Sequence, residues 1–131
     1  MTTIEARNVD RDTVLPGWRW PNFTPHELAS KGDGSLVLSE DAMDALERAR
    51  DALGEPFLIL SAYRDPLHNA RVGGAPLSRH KAGDAFDIAL RNHRKMELYE
   101  ACKAAGFRGF GFYRTFLHID MGQKRSWGSW V

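Results

Sequence analysis

A carboxylate in the middle of an apolar strand is the feature that most constrains this sequence. In SRHKAGDAFDI (residues 78–88) the alternation of side chains predicts a strand over residues 85–90, in which Asp87 lies between two large apolar residues. A carboxylate is costly to bury there unless it is paired or bound to a metal. His80 precedes it by seven positions. Gly83 allows the intervening loop to turn, so that His80 can reach Asp87.

A second histidine and carboxylate follow in FLHID (residues 116–120). Strand alternation places His118 and Asp120 on one face and the apolar residues between them on the other. Taken singly, each such residue is more commonly a hydrogen-bonded or solvated side chain. Two histidines and a carboxylate, with a fourth position left to water, are typical of a catalytic zinc site. The residues alone therefore leave two interpretations open: ordinary polar side chains, or convergence of His80, Asp87 and His118 on one metal ion.

The remaining patterns predict a small α+β domain, an antiparallel sheet with flanking helices. In chain order we predict a helix over residues 40–53, a strand over 57–62, a loop over 65–78, the strand over 85–90, a helix from a cap at Asn92 to Ala105, and a hairpin of GFGFY and FLHID. Residues 1–14 are polar and aperiodic, which predicts a loosely ordered arm. The domain would then occupy residues 15–131.

The composition limits the classes of function. Lys plus Arg number 18 and Asp plus Glu 17, and this balance argues against a nucleic-acid-binding protein. Cys102 is the single cysteine, so the fold needs no internal disulfide, and we expect its thiol to be buried. The N-terminus shows no apolar segment of a signal peptide, and no apolar run is long enough to span a membrane. We therefore expect a protein made in the cytoplasm.

Five positions of the first segment match the pattern S-x-H-x-x-G-x-A-x-D: Ser78, His80, Gly83, Ala85 and Asp87. This pattern resembles that of the zinc D-alanyl-D-alanine carboxypeptidases and murein endopeptidases, a superfamily that also contains the zinc-binding hedgehog signalling domain. SAYRDPLHNARVGGAP resembles the arginine-bearing segment of the family, and FLHIDMGQKRSW resembles its third-ligand strand in a short phage and bacterial branch. The resemblance covers residues 23–127, most of the chain.

The resemblance implies roles for five side chains. His80, Asp87 and His118 would bind Zn²⁺. Arg64 would stabilise the polarised carbonyl or bind the carboxylate of the substrate, and Ser78 would order the ligand loop or contact substrate. The alternative for Arg64 is a structural ion pair, for example with the adjacent aspartate, and the alternative for Ser78 is a hydroxyl that caps the loop.

The sequence departs from the family at the general base. Many relatives carry an acid three positions before the last zinc histidine, but this chain has Thr115 there. Asp120 is one candidate for the base, passing a proton from the attacking water to the leaving amine. It could equally orient His118 as a neighbouring carboxylate. In a third alternative Asp120 replaces His118 as ligand.

The function implied by the resemblance is a zinc-dependent peptidase in which a zinc-activated water hydrolyses peptidoglycan stem or cross-link peptides. A murein endopeptidase is the first expectation, with a phage lytic or tail-associated role in which a holin or virion gives access to the cell wall. The alternatives are a D-Ala-D-Ala carboxypeptidase or dipeptidase and a non-catalytic zinc-binding module. We expect no nucleic-acid partner and make no prediction of oligomeric state.

Overall fold

Seven strands and five short or medium helices occupy the part of the chain that this computed structural model describes, residues 2–130. In chain order they are β1 (Thr3–Ala6), α1 (Pro25–Leu28), β2 (Leu36–Ser39), α2 (Glu40–Leu53), β3 (Ile59–Ser61), α3 (Pro66–Arg71), α4 (Arg79–Ala82), β4 (Ala85–Ala89), α5 (Lys95–Ala105), β5 (Gly109–Phe112), β6 (Phe116–Asp120) and β7 (Arg125–Gly128). The predicted single α+β domain is confirmed.

The central sheet has five strands in the order β3-β4-β6-β5-β7, and β1 and β2 form a separate pair. Neighbouring strands are antiparallel except β5 and β7, which run parallel. Strand β4 lies between β3 and β6, so that both of its edges are hydrogen-bonded. Strands β4 and β6, which contain Asp87 and His118, are therefore adjacent inside the sheet.

One face of the sheet is covered by the hydrophobic core. Phe86 and Ile88 of β4 and Leu117 and Ile119 of β6 are fully buried, as strand alternation predicts. They belong to a single cluster that includes buried residues of α2 and α5. The alternate residues of the same strands, including Asp87 and His118, lie on the opposite face. The candidate functional site is on that face.

The first long helix has the predicted bounds because its signals are local. The Ser39 hydroxyl accepts a hydrogen bond from the Ala42 N–H at 3.2 Å, and Gly54 ends the helix in the left-handed conformation at φ 71°. Met43 and Leu46 lie at helical spacing on the buried face.

Other boundaries differ from the prediction. Of the predicted loose arm over residues 1–14, the described part, residues 2–14, contains β1, which pairs with β2 along its whole length. The side chains of β1 alternate between exposed and half-buried, a pattern too weak for the sequence to reveal. The N-cap of α5 is Arg94 rather than Asn92, which takes a left-handed turn at φ 71°. The stretch 65–78, predicted as a loop, contains α3.

Two smaller expectations can also be compared with the structure. Cys102 is fully buried, and burial raises the pKa of its thiol to about 12, so it is a packing residue rather than a nucleophile. Across residues 2–130, none of the helices has the length and apolar character needed to cross a bilayer.

Candidate metal centre

Three elements bring His80, Asp87 and His118 together. His80 lies in α4, and the antiparallel register of β4 and β6 pairs Asp87 directly with His118. One ligand atom from each residue lies within 4.8 Å of the others. All three are buried, with 3%, 5% and 8% of their surface exposed. A buried group of these donors has the composition of a zinc site.

The hydrogen bonds of His80 leave one ring nitrogen for the centre of the cluster. Its Nδ1 lies 2.7 Å from the carbonyl oxygen of Ala62, and a carbonyl can only accept. Nδ1 therefore carries the proton, and Nε2 lies 3.2 Å from Oδ1 of Asp87. This outward bond to a backbone carbonyl is the arrangement that fixes a metal-binding imidazole in proteins.

His118 has the same arrangement with its two nitrogens exchanged. Its Nε2 donates to Oδ2 of Asp120 at 2.7 Å, and its Nδ1 lies 2.9 Å from Oδ1 of Asp87. Each histidine thus points one nitrogen at Asp87 and has an acceptor on the other. The donor set and its outer partners both fit a divalent transition metal such as Zn²⁺.

Electrostatics keep Asp87 ionised. Burial by itself would raise the pKa of its carboxyl, but hydrogen bonds to His118 and His80 outweigh burial and lower the pKa to about 2. The pKa of His118 is raised, because Asp120 and Asp87 stabilise its charged form against the opposing effect of burial. Protons and a metal ion would therefore compete for Nδ1 of His118.

Two residues at the ends of α4 set the position of His80. The Ser78 hydroxyl accepts a hydrogen bond from the His80 N–H at 3.2 Å. Gly83 ends the helix at φ 79°, and a Cβ there would lie closer than 3.0 Å to the Val37 carbonyl oxygen. Only glycine allows this approach of α4 to β2.

Arg64 lies beside the cluster, half-buried. Its Nη2 is 3.5 Å from Oδ2 of Asp87, and its Nε donates to the Ser61 hydroxyl at 3.1 Å. The ion pair considered from the sequence, with Asp65, does not form, because Asp65 is buried and caps α3. Arg64 is therefore attached to the metal-binding residues rather than to the surface.

An open cleft of about 340 Å³ lies over the cluster. Its lining includes the polar residues Arg64 and Ser78 and the aromatic residues Tyr113, Phe116 and Trp127. The rings of Tyr113 and Phe116 stack at 4.4 Å, and the Trp127 indole donates to the Tyr113 hydroxyl at 2.8 Å. The cleft thus presents guanidinium groups and aromatic rings around the candidate metal ligands.

Comparison with known proteins agrees with this geometry. A family model described as peptidase M15 matches residues 21–120. The chain belongs to the peptidase M15 family. It is also 29% identical, over 124 aligned residues, to a zinc D-Ala-D-Ala carboxypeptidase of Streptomyces albus G, with 82% of this chain and 49% of the relative covered. The chain therefore spans about half the length of this curated relative. The family is thus one of peptidases, and the relative is named as a zinc carboxypeptidase.

Asp120 of this M15 peptidase is placed away from the cleft. It is fully buried, and it is not among the residues that line the cavity. Both of its oxygens are occupied: Oδ1 accepts from the Gly122 N–H at 2.9 Å, and Arg125 donates to each oxygen at 2.8 Å. Hydrogen bonds from His118 and Arg125 hold the pKa of Asp120 far below its usual range despite burial. The geometry favours the orienting alternative for Asp120 over that of a base.

Thr115 does not line the cleft of the M15 peptidase, and among the described lining residues Asp87 is the single carboxylate. The structure also adds lining residues that sequence reasoning did not assign to the site, namely Tyr113, Phe116 and Arg125. For Arg125, a signal was available in the glycine alternation of β5, GFGF, because Gly109 and Gly111 leave one face of that strand without side chains.

Proposed function

We propose that this protein is a zinc peptidase that hydrolyses peptidoglycan peptides at D-alanine. The observation that carries the proposal is the buried group of His80, Asp87 and His118 at the floor of an open cleft. The relative from Streptomyces albus G is named for zinc and for D-Ala-D-Ala carboxypeptidase activity, which supports the same substrate class here. The place of action would then be the cell wall.

The metal would be held by Nε2 of His80, a carboxylate oxygen of Asp87 and Nδ1 of His118. When bound at such a site, zinc lowers the pKa of a water ligand to about 7 and polarises a carbonyl group. The acceptors behind the two histidines, the Ala62 carbonyl and Asp120, keep the correct nitrogen of each ring free for this purpose.

Arg64 would bind the substrate in the cleft that it lines. Its guanidinium is held by Ser61, Asn69 and Asp87 at 3.1–3.5 Å, and the side chain lines the cleft. A guanidinium fixed in this way can donate to the scissile carbonyl or to a terminal carboxylate. One well-placed donor at the developing negative charge contributes about 3–4 kcal/mol to the stabilisation of the transition state.

Ser78 would act chiefly by capping α4, since its hydroxyl already accepts the His80 N–H. The same side chain borders the cleft, so contact with a bound peptide is a secondary expectation. The aromatic residues of the cleft would pack against apolar groups of the peptide and exclude bulk water, apart from the attacking water, from the bond that is cut.

The test is mass spectrometry of muropeptides released from purified sacculi, with and without a chelator. His80→Ala removes a ligand, and His26→Ala changes an exposed histidine in α1 as the matched control. We expect products from the wild type and from His26→Ala, and none from His80→Ala or with chelator. Loss of alanine would identify a carboxypeptidase, and resolution of cross-linked dimers would identify an endopeptidase.

An endopeptidase that reaches the wall through a phage holin or a virion is the second candidate, and the product masses separate it from a carboxypeptidase. Freed stem peptides would instead place the cut near the first L-alanine. If the wild type binds zinc but releases nothing from several types of wall, peptidase function is wrong and a non-catalytic zinc module remains.

A further inference from the structure

A row of four residues crosses the cleft face of the sheet below the metal centre. Ala85 of β4 pairs with Asp120 of β6. Asp120 also pairs with Gly109 of β5, and Gly109 in turn pairs with Arg125 of β7. Asp120 and Arg125 are therefore two strands apart. A side chain on the intervening strand would ordinarily separate them.

Gly109 removes that barrier. A Cβ at this position would lie closer than 3.0 Å to both the Asp120 carboxylate and the Arg125 guanidinium. The φ of Gly109 is not in the left-handed region, so the glycine serves the close approach of side chains rather than an unusual backbone conformation. Arg125 reaches Asp120 across β5 only because this position carries no side chain.

The salt bridge between Arg125 and Asp120 is bidentate. Nη1 of Arg125 lies 2.8 Å from Oδ1 and Nη2 lies 2.8 Å from Oδ2. The same Oδ2 accepts the Nε2–H of His118 at 2.7 Å. Charge-assisted hydrogen bonds thus link Arg125 of β7 through Asp120 to the imidazole of His118, whose Nδ1 points at Asp87.

The neighbouring row has the same construction. Gly111 of β5 lies between His118 and Trp127 in the register, and a Cβ at Gly111 would lie 2.7 Å from the Trp127 ring. The centroid of that ring is 5.1 Å from the His118 ring, and the Arg125 guanidinium carbon is 5.0 Å from the Trp127 ring centroid. Because Gly109 and Gly111 carry no side chains, Arg125 and Trp127 of β7 can reach across β5 to residues of β6.

We propose that Arg125 is a positioning residue of the metal centre, which acts through Asp120 to hold His118 with Nδ1 toward the metal. The proposal rests on the metal site of the proposed function. Asp120 is fully buried and needs a counter-ion to remain a charged acceptor, and Arg125 supplies it. With its orientation fixed on two bonds, the carboxylate can accept the His118 proton at one position of the ring.

A different role for Arg125 would predict different results. Its side chain is 39% exposed and it lines the cleft, so it could instead contact substrate directly. A substrate contact would raise KM and leave metal affinity unchanged. A positioning role changes metal affinity in the absence of any substrate.

The experiment measures the Zn²⁺ dissociation constant of the full chain by competition with a chromogenic chelator. We expect Arg125→Met to weaken zinc binding by about 10- to 100-fold, the range found for partners behind a metal ligand. Arg125→Lys should restore part of the affinity, because it keeps the charge without the bidentate contact. Gly109→Ala should weaken binding as well, since its Cβ would occupy the space in which Arg125 and Asp120 meet while both members of the ion pair remain in the chain.

The control is Arg48→Met, which removes another exposed arginine that ties two elements together, through the Ala105 carbonyl at 2.7 Å. It should leave zinc affinity unchanged. In an Asp120→Asn background, Arg125→Met should cause no further loss, because its effect passes through Asp120.

Two results would overturn the proposal. One is an unchanged zinc dissociation constant in Arg125→Met and Gly109→Ala while the wild type binds zinc. The other is an equal loss with and without Asp120, which would assign Arg125 a general structural role. A wild type that binds no zinc would overturn the proposed function along with this inference.

Discussion

At the scale of single residues, a buried carboxylate outside the metal centre fixes the segment that carries Arg64. Asp65 follows it directly and accepts hydrogen bonds from the Ser30 hydroxyl and from the N–H groups of His68 and Asp33. Burial would raise the pKa of Asp65, but these hydrogen bonds, led by that from Ser30, lower it to about 2. The start of α3, and with it Arg64, therefore depends on the charge of Asp65.

We predict that Asp65→Asn destabilises the fold in a pH-dependent manner. Since folding lowers the pKa of Asp65, its contribution is present above the unfolded pKa of about 4 and is lost as the pH falls toward about 2. At pH 7 we expect the free energy of unfolding to fall by about 2 kcal/mol, and the wild type and variant to converge near pH 2. Urea denaturation across this pH range measures the difference.

The exposed Asp12→Asn serves as the control and should follow the wild type at every pH. A constant difference between wild type and Asp65→Asn from pH 7 to pH 2 would contradict the prediction. It would mean that Asp65 stabilises the segment by shape rather than by charge.

At the scale of elements, α4 is a helix of four residues that carries a metal ligand. A helix of this length has little stability of its own. It is held from outside: the Gly83 carbonyl oxygen accepts the Ser39 N–H at 2.8 Å, and the Cα position of Gly83 abuts the Val37 carbonyl. The position of His80 thus depends on the contact between α4 and β2.

We predict that Gly83→Ala is more damaging than Gly54→Ala, although both glycines have a left-handed φ, 79° and 71°. The conformation costs an alanine about 1–2 kcal/mol at either position. Nothing lies within 4 Å of a Cβ at Gly54, whereas Gly83 is packed against Val37, which adds about 1–3 kcal/mol of overpacking. Urea denaturation of both variants tests the difference.

Because α4 carries His80, Gly83→Ala should also weaken zinc binding, while Gly54→Ala should not. Equal losses of stability in the two variants, with unchanged zinc affinity, would show that α4 does not depend on its contact with β2.

The elements also show which features the sequence could reveal. Helix α2 was predictable because its apolar spacing lies within the helix and its cap and glycine stop are the residues directly beside it. Strand β7 was not, because RSWG lacks a clear alternation and becomes a strand only by pairing in parallel with β5. The same holds for β1, whose partner is some thirty positions away.

The site follows the same division. The convergence of His80, Asp87 and His118 could be predicted from strand alternation together with the resemblance of the S-x-H-x-x-G-x-A-x-D pattern to that of the zinc peptidases. The sequence could not decide whether Asp120 is a base or an orienting partner of His118, because Arg125, which also binds Asp120, belongs to the unpredicted strand β7.

At the scale of the whole molecule, the three candidate ligands join α4 to the two central strands of the sheet. A metal ion that binds the folded chain and not the unfolded chain stabilises the fold by RT ln(1 + [L]/Kd), about 2.7 kcal/mol at 100 times Kd. We therefore predict that zinc raises the melting temperature of the full chain and that a chelator reverses the effect. Calorimetry of wild type and His80→Ala, which should show no such shift, makes the comparison.

The size of this zinc effect should increase with pH. The pKa of His118 is raised in the metal-free fold, so its charged form stabilises that fold below the unfolded pKa of about 6.5, and this contribution is lost as the pH rises through the folded pKa. Zinc binding requires the neutral ring, so protons oppose the metal at low pH. The difference in melting temperature between zinc-loaded and chelated protein should thus be small near pH 5 and larger near pH 8. A difference independent of pH, or one retained in His80→Ala, would place the stabilising metal at other residues than His80, Asp87 and His118.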